Sequence, residues 1–420
     1  MSNFNIKDQN IKNIIFVLLI ILPIGIIISP GFSEAIIVLI VLLFLMNAFF
    51  KNDWEFLNEK IIRYLLIIYG FLLINLLMSQ NFNFSFLRNF LFVKYIILIS
   101  AIKYSINNKN KFNRIILFWS IIVITCSADL YYQWFFKEDI LGFRDRDPLR
   151  LNGFFRKENA TTFISSFLFI SIFFWFRKKN RNIKELSIMF TTIALVILIC
   201  FISGSRAPFI RLIFSVILIL ILFRFQLKSK FIIFSILLLL FVIPLISSEK
   251  LKTRYIYQLT NSNNEFNVKI LHDNFINNSL HYGHYITAYK IFIDNKWFGV
   301  GTKNFRIFCA NEKYSTINVQ DYKQCSTHPH QIYLEFLAEH GIIGSLPILT
   351  LIFLIFLNFY NYYKRSKNYL ILFPLIFLIS HFLPLIPSAS FFSNSFATLF
   401  WIVFGFTYLL YNNKILYSKY

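Results

Sequence analysis

The chain has 420 residues, 57% of them hydrophobic and 20% aromatic, and carries a formal net charge of +22. Its mean hydropathy of +0.60 lies well outside the range of soluble domains. Apolar runs of about 17–25 residues recur, each long enough to cross a hydrocarbon core of roughly 30 Å. Because lipid offers no partners to open backbone groups, the sequence predicts an all-α polytopic membrane protein. The basic charge does not indicate nucleic acid, since most Lys and Arg lie in short loops between apolar runs, where they orient the protein and meet anionic lipid.

Twelve transmembrane helices are predicted, with one large polar loop between the ninth and the tenth. The spans are residues 13–29, 34–50, 61–78, 86–102, 115–136, 160–176, 186–202, 209–223, 231–248, 342–361, 369–386 and 395–411. The first span is interpreted as a retained helix, because no small-residue cleavage site follows it. The predicted organisation is therefore nine helices in 1–248, a loop in 249–341 and three helices in 342–420.

Lys and Arg are distributed unevenly between alternate connections. The basic loops are 51–60, 103–114, 177–184, 224–230 and 364–367. The connections without Lys or Arg are 30–33, 79–85 and 387–394. The positive-inside rule therefore predicts that both termini are cytoplasmic and that the large loop lies outside. Charge-rich outer segments at 137–158, 203–208 and 249–330 need another explanation, and a shared anionic ligand would supply one.

The most unusual polar cluster is residues 328–344, where the large loop enters the tenth span. Its ionisable side chains are His328, His330, His340, Glu335 and Glu339. A neutral imidazole at a helix start can act as a general base, since its unperturbed pKa is about 6.5. Pro329 holds His328 extended, so His328 and His330 point in different directions and only one reaches a given substrate. The alternative is that these histidines only cap helices or bind backbone groups.

The same five side chains do not have the spacing of a usual catalytic zinc site. Neither His-x-His nor the glutamate pair fits, and His340 lies nearly three helical turns from His330. No metal is therefore expected. Asp129, Glu335 and His381 lie near or within spans and are site candidates by default. A transporter would also use such groups, but paired charges at mid-span and matching interrupted helices in two halves are lacking.

Arginines on the predicted outer side form a second group of candidates. Arg206 lies in a Gly/Pro-punctuated turn, and an arginine at this depth is costly unless it is paired. A guanidinium fork suits phosphate geometry, so a phosphate-bearing substrate is a natural partner. Arg254 is the second candidate, and Arg150, Arg156 and Arg88 are weaker ones. The alternative is a snorkelling arginine at the membrane interface.

The four cysteines divide into two pairs. Cys309 and Cys325 share the large loop, in a compartment that permits disulfides, so a bridge just upstream of His328 is predicted. Two free thiols or a metal pair are the alternatives. Cys126 and Cys200 fall inside apolar spans and are predicted to be buried fillers.

Three motifs in order resemble those of the bacterial O-antigen ligase and polymerase superfamily. His330-Gln331, nine residues, Gly341, two residues and Gly344 fit its H-[N/S/Q]-x9-G-x2-G pattern. Residues 297–305, WFGVGTKNF, are similar to its G-x-G-x-x-x-F stretch, and 203–206, SGSR, to its G-S-R turn. The motifs cover about 203–345, and the twelve-span layout with one large late loop matches throughout.

The resemblance implies a fold of the membrane glycosyltransferase type and an inverting, metal-independent transfer without a cofactor. A glycan would leave undecaprenyl diphosphate as a hydroxyl of an acceptor such as lipid A–core attacks it, at the periplasmic face of the inner membrane. His330 would be the base, and Arg206 and Arg254 would bind the diphosphate and stabilise charge on the leaving group. The predicted substrate-binding residues are His328, Gln331, His281, His284, Arg150, Arg156 and Glu335. The implied partners are the lipid-linked glycan, the acceptor and membrane lipids.

The chain departs from the family pattern in two places. Gln331 stands where Asn is common. His281 and His284 stand where Arg often occurs, near the start of an amphipathic loop helix that is predicted to end at Asp294. How the acceptor sugar or a second anionic group is held is therefore open. The motifs favour a ligase, with a polymerase as the close alternative and a protein O-oligosaccharyltransferase or a transporter as further ones.

Overall fold

The computed structural model describes residues 2–144, 147–155, 160–171, 175, 182–222, 227–258, 281–314 and 324–412. These residues form helices and their connections, with no strand in the described ranges. The helices are α1 (Ser2–Ile28), α2 (Pro30–Lys51), α3 (Lys60–Leu77), α4 (Phe82–Phe90), α5 (Val93–Ser105), α6 (Lys109–Phe136), α7 (Ala160–Ile170), α8 (Ile183–Ile202), α9 (Arg206–Leu222), α10 (Leu227–Ser247), α11 (Glu249–Lys252), α12 (Tyr282–Asp294), α13 (Phe305–Phe308), α14 (Ile332–Ser366), α15 (Tyr369–Ser380) and α16 (Asn394–Asn412). A π-helical turn, Thr253–Tyr257, continues α11, and short 3-10 turns lie at Glu55–Asn58 and Glu312–Tyr314.

The length and apolar character of these helices confirm an all-α polytopic membrane protein. Within the described ranges, eight segments are long and apolar enough to cross a membrane: most of α1, and α2, α3, α4 with α5, α6, α8, α14 and α16. Shorter apolar helices are α7, α15 and the Ser235–Ser247 part of α10. Each predicted span overlaps one of these helices or α9. The total of twelve spans and the three-part division of the chain stay predictions.

One helix, α16, occupies the centre of the bundle. The apolar stretch of α16 is 83% buried inside the protein, whereas the apolar stretches of α1, α3 and α14 are each 39% buried. It packs against α5, α7 and α15, and its side chains from Phe396 to Leu410 are all buried. The outer helices instead expose large apolar side chains such as Val17, Leu42 and Phe353, as helices that face lipid require.

The two ends of the bundle differ in chemistry. At one end, Asp8 forms ion pairs with Lys12 (2.8 Å) and Lys51 (2.6 Å), and Glu59 pairs with Lys103 (2.6 Å). At the other end, which we call the loop end, the connections that follow α3, α6, α8, α10 and α15 contact one another. Two of the basic loops predicted to be cytoplasmic, 51–60 and 103–114, therefore lie at the end opposite the loop end.

The loop end is organised by a backbone junction between residues 296–301 and 338–343, which we call the glycine junction. Helix α14 is interrupted at Gly341, where φ is 59° and ψ is −167°. The amides of Ile342 and Ile343 donate to the carbonyls of Lys296 (2.8 Å) and Trp297 (3.0 Å) instead of to their own helix. In the other direction, the amides of 300 and 301 donate to the carbonyls of 338 (3.0 Å) and 339 (2.9 Å).

Two glycines permit this approach of backbone to backbone. A Cβ on Gly299 would lie 2.4 Å from the carbonyl carbon of Glu339, and one on Gly341 would lie 2.4 Å from that of Trp297. Asn75 of α3 fixes the junction from the membrane side, because its Nδ2 donates to the carbonyl oxygens of Phe298 and Glu339, each at 3.0 Å. The two glycine motifs of the sequence are thus the two halves of one contact.

Gly341→Ala should lower the thermal unfolding midpoint of the purified protein in detergent. The new Cβ would overlap the Trp297 backbone, and the Gly341 φ/ψ combination costs other residues about 1–3 kcal/mol. Gly70→Ala is the control, since a Cβ there meets nothing within 4 Å and alanine favours a helix. A midpoint for Gly341→Ala equal to that of wild type would contradict the described junction.

Candidate active site

Four histidines meet at the loop end, and we call them the histidine cluster: His281, His284, His328 and His330. The ring centroid of His330 lies 4.6 Å from that of His281, 5.3 Å from that of His284 and 4.0 Å from that of His328. His281 and His284 come from the start of α12, which covers the amphipathic helix predicted to end at Asp294. His328 and His330 come from the segment that precedes α14. Two distant parts of the large loop therefore share one site.

Hydrogen bonds fix the two downstream histidines differently. His328 Nε2 lies 3.1 Å from the Ser388 carbonyl, which can only accept, so this nitrogen carries the proton. His328 Nδ1 then accepts from the Thr327 hydroxyl at 3.0 Å, and both ring nitrogens are engaged. His330 Nε2 lies 3.1 Å from Ser326 Oγ, the hydrogen bond that its ring makes within the described residues, and its carbonyl accepts from the Ser388 amide at 2.8 Å. Its imidazole is thus the more available of the two.

The backbone of His330 is held in the left-handed region, with φ of 61°. Such a conformation is uncommon for a residue with a side chain and persists only where the surroundings determine it. The Ser388 amide on one side and the start of α14 on the other supply that constraint. The ring of His330 is thereby directed towards α12 rather than along the axis of α14.

Three members of the histidine cluster, His281, His328 and His330, are uncharged at neutral pH. Burial lowers the pKa of His330 to about 3, and the nearby imidazoles of His328, His281 and His284 act in the same direction. Burial likewise lowers the pKa of His281 to about 4, with smaller effects from His284, Arg206 and Arg150. The neutral form of His330 keeps a lone pair that can accept a proton. An anionic substrate beside the cluster would offset the surrounding positive charge and raise this pKa.

A second group, the arginine cluster of Arg150, Arg206 and Arg254, adjoins the histidines. Besides burial, the positive charges of Arg206 and Arg150 contribute to the lowered pKa of His281. Burial lowers the pKa of Arg254 to about 10, and the neighbouring positive charges of Arg206 and Arg150 act in the same direction. Of nearby carboxylates, Asp147 pairs with Arg150 at 3.1 Å. An anion would relieve the remaining repulsion.

The turn at 203–206 places Arg206 beside Arg254. Gly204 has φ of 73°, and a Cβ there would lie 2.4 Å from the Leu149 carbonyl oxygen. The Leu151 amide donates to the Ser203 carbonyl at 3.0 Å, and Arg254 Nε donates to the Gly204 carbonyl at 2.8 Å. The Gly-Ser-Arg sequence therefore forms a turn clamped between the 147–155 connection and the π-helical turn.

The two principal arginines differ in their remaining hydrogen-bond capacity. Arg254 uses Nη1 on Gln258 Oε1 at 2.8 Å in addition to its bond to Gly204. Arg206 Nη1 is buried and has no hydrogen-bond partner within the described part of the chain. A buried guanidinium nitrogen without a partner is costly, and a ligand oxygen would satisfy it.

Two further predicted site residues are engaged by the protein itself. Gln331 caps α14, because its Oε1 accepts from the Leu334 amide at 2.8 Å. Glu335 is fully buried, and its Oε2 accepts from the Phe391 amide at 2.9 Å. Their contact with substrate stays a prediction, and Arg156 lies outside the described residues. His340 packs beside the rings of Phe336 and Phe392 rather than in the histidine cluster.

Lys303 is a site residue that the sequence analysis did not single out. It is buried, its Nζ donates to Ser390 Oγ, and that hydroxyl donates to Glu335 Oε1. The Lys303 amide donates to Glu339 Oε2 at 2.8 Å. Two glutamates four residues apart at the start of an apolar helix require a cation, and this was the signal available in the sequence. The network joins the 302–304 turn, α14 and the 381–393 connection that holds His328 and His330.

Cys309 and Cys325 are bonded in the structure, with their Cα atoms 5.0 Å apart. The bridge ties the end of α13 to the segment that carries His328 and His330. Arg306 Nη2 adds a bond to the Thr327 carbonyl at 3.3 Å. The active-site segment is therefore held from both sides, by this bridge and by Ser388.

Lys303→Met should destabilise the protein, because it removes the buried cation that Ser390 links to Glu335 and leaves the Ser390 hydroxyl without that partner. Loss of one partner from a buried charge network costs up to about 3–5 kcal/mol. Adding Glu335→Gln to Lys303→Met should recover part of that loss. Thermal unfolding in detergent measures both variants. Equal midpoints for Lys303→Met and wild type would rule out the described network.

The fold and the site together define a polytopic membrane protein with a positively charged, imidazole-lined site at one end of its helix bundle. Residues 191–349 match the family model described as O-antigen ligase. The chain therefore carries an O-antigen ligase family domain, which confirms the resemblance and supports membrane glycosyl transfer of the ligase or polymerase type. A comparison with curated proteins finds no significant match. The matched range includes Arg206, Arg254, the histidine cluster and both halves of the glycine junction.

Proposed function

We propose that the protein transfers a glycan from undecaprenyl diphosphate to a hydroxyl of lipid A–core, at the periplasmic face of the bacterial inner membrane. The observation that carries the proposal is the proximity of the histidine cluster and the arginine cluster, whose chemistries are complementary. The neutral imidazole of His330 can take a proton from an acceptor hydroxyl. The adjoining arginines can bind a diphosphate, and their charges reach the same histidine cluster.

The reaction is a single displacement with inversion at the anomeric carbon. The acceptor oxygen attacks that carbon opposite the diphosphate while His330 removes the hydroxyl proton. A new glycosidic C–O bond forms, and the C–O bond to the diphosphate breaks. Undecaprenyl diphosphate leaves with an additional negative charge, which Arg206 and Arg254 stabilise through charge-assisted hydrogen bonds. The step needs no metal ion.

Other residues would position the substrates. Arg150 and Arg156 extend the anion-binding surface, and His281 and His284 hold the acceptor or a second anionic group beside His330. His328, Gln331 and Glu335 support the site indirectly, since their side chains already form hydrogen bonds within the protein. Their contribution is to fix the place and the orientation of His330.

His330→Ala should abolish transfer while insertion and folding are retained. Loss of a general base costs roughly 10²–10⁴ in rate. The readouts are surface polysaccharide in a deletion strain carrying the variant and glycan transfer by the purified protein. His330→Gln is the matched variant, because it keeps polarity and removes the base, and it should also fail. Full surface polysaccharide with either variant would exclude this mechanism.

Arg206→Lys should reduce transfer, because a point charge cannot replace a bidentate fork. Hydrogen bonds to charged groups are worth about 1.5–3 kcal/mol, which corresponds to a roughly 10- to 100-fold loss of rate. Arg63→Lys is the control, since Arg63 is exposed near the basic end and its guanidinium donates to the Asn58 carbonyl. Unimpaired transfer by Arg206→Lys would remove Arg206 from the site.

A surface polysaccharide polymerase is the second candidate, because the same domain serves both reactions in the superfamily. A gel of surface lipid from a deletion strain separates the two. Bare core with accumulated lipid-linked polymer means a ligase, whereas core decorated with a single repeat means a polymerase. Glycosylated protein that disappears from the strain would instead identify a protein O-oligosaccharyltransferase. A transporter would move substrate across liposomes without making a glycosidic bond.

A further inference from the structure

Three members of the histidine cluster form a set of ligands with metal-binding geometry. His281, His284 and His330 each offer a ring nitrogen, and these atoms all lie within 4.8 Å of one another. His281 and His284 are three residues apart at the start of α12, where residues at this spacing share one face. His330 reaches them from the segment that precedes α14. The set is distinct from the five side chains of 328–344 whose spacing does not suit zinc.

We propose that His281, His284 and His330 bind a divalent transition-metal ion of the Zn²⁺ type. Imidazole nitrogens suit Zn²⁺, Co²⁺ and Ni²⁺, and three of them leave a fourth tetrahedral position for water or a substrate oxygen. Ligand nitrogens about 2.0–2.1 Å from such an ion lie roughly 3.3 Å apart. Because the three nitrogens lie within 4.8 Å of one another, they need to close by at most about 1.5 Å, a movement within the reach of side-chain rotation.

Two features of the surroundings determine how strongly the ion is held. The arginine cluster lies beside His281 and repels a cation, so binding is weaker than at a structural zinc site. Thiols do not compete within the described residues, because Cys126 and Cys200 are buried and Cys309 is bonded to Cys325. The three imidazoles are then the main soft ligands at the loop end, and a negatively charged fourth ligand strengthens binding.

Metal binding prevents His330 from acting as a base. A neutral imidazole has one ring nitrogen with a free lone pair, and the ion takes that pair. The ring can then no longer accept the proton of an acceptor hydroxyl. The protein would therefore be inhibited by Zn²⁺, and this consequence rests on the proposed function, whereas the metal site itself does not.

Binding is tested on the full-length protein in detergent, stripped with EDTA and then titrated with Co²⁺. We expect one Co²⁺ per chain and the visible absorption bands of a four-coordinate ion. His281→Ala and His284→Ala should each weaken binding by more than about tenfold, because each removes one of three ligands. Tyr289→Ala is the control, an exposed side chain of the same helix α12 that lies outside the set. Absence of bound Co²⁺, or equal binding by His284→Ala and wild type, would overturn the proposal.

A charge variant tests the position of the ion. Arg150→Gln removes one positive charge from beside the cluster and should tighten Co²⁺ binding a few-fold, with a smaller effect at high salt. Arg63→Lys should leave the dissociation constant unchanged. Weaker binding by Arg150→Gln would place the ion outside the field of the arginine cluster and contradict the ligand set.

The inhibitory consequence has a separate readout. Transfer by the wild-type protein should fall as Zn²⁺ saturates the site and return when EDTA is added. The residual transfer of His284→Ala should be insensitive to the same Zn²⁺ concentration. Co²⁺ binding by a protein that makes no glycosidic bond would refute the proposed function and leave the site intact. Saturated binding with undiminished transfer would refute the role of His330 as both ligand and base.

Discussion

The architecture of the site depends on one contact between two stretches of main chain. At the glycine junction, residues 296–301 supply the carbonyls and amides that α14 loses where it breaks at Gly341. Buried backbone amides and carbonyls without hydrogen-bond partners would destabilise the fold. The break is tolerated because the pairing with 296–301 replaces the lost helical hydrogen bonds. The break in turn sets the direction of the first turns of α14. Those turns carry Gln331, Glu335 and Glu339, and they follow directly on His330.

The acidic and basic side chains around the site differ in whether the protein supplies them with partners. The buried side chains of Glu335 and Glu339 are both bonded within the protein: Lys303 reaches Glu335 through Ser390, and the Lys303 amide donates to Glu339. Arg206 and Arg254 have no comparable compensation from the described residues, and their mutual repulsion is retained. The protein thus satisfies the charges that shape the site and leaves positive charge where an anionic substrate is proposed to bind. Lys303 and the two arginines are all cations, and their different roles are inferred from their hydrogen-bond partners rather than from their residue types.

Much of the fold could be predicted from local pattern. Each predicted span overlaps an apolar helix, but α1 begins at Ser2 and α14 at Ile332, well before the predicted starts at 13 and 342, and α4 and α5 divide the predicted fourth span at Leu91 and Phe92. Arg206, Arg254 and His330 could be selected as candidate site residues because a polar group at an apolar boundary is energetically costly. Their mutual proximity could not be derived, because it results from packing between segments far apart in the sequence.

Other parts of the site were inaccessible to sequence reasoning for the same reason. The proximity of His281 and His284 to His330 depends on how α12 docks on α14, and no local periodicity encodes it. Lys303 looked like an ordinary loop lysine, since its acidic partners lie on a different element. The role of Ser388 and Ser390 depends on a connection between α15 and α16 whose path the residue types alone do not determine.

The burial of α16 has a consequence for biosynthesis. Its neighbours α5, α7 and α15 all precede it in the chain, so they enter the membrane before the helix that fills the space between them. Until residues 394–412 have been synthesised, the faces of those helices that α16 covers are open to lipid. The 381–393 connection, which carries Ser388 and Ser390, is fixed at its far end only when α16 inserts. Assembly of the bundle interior and final positioning of His330 therefore await the synthesis of α16, and a ribosome stalled before Asn394 would leave both incomplete.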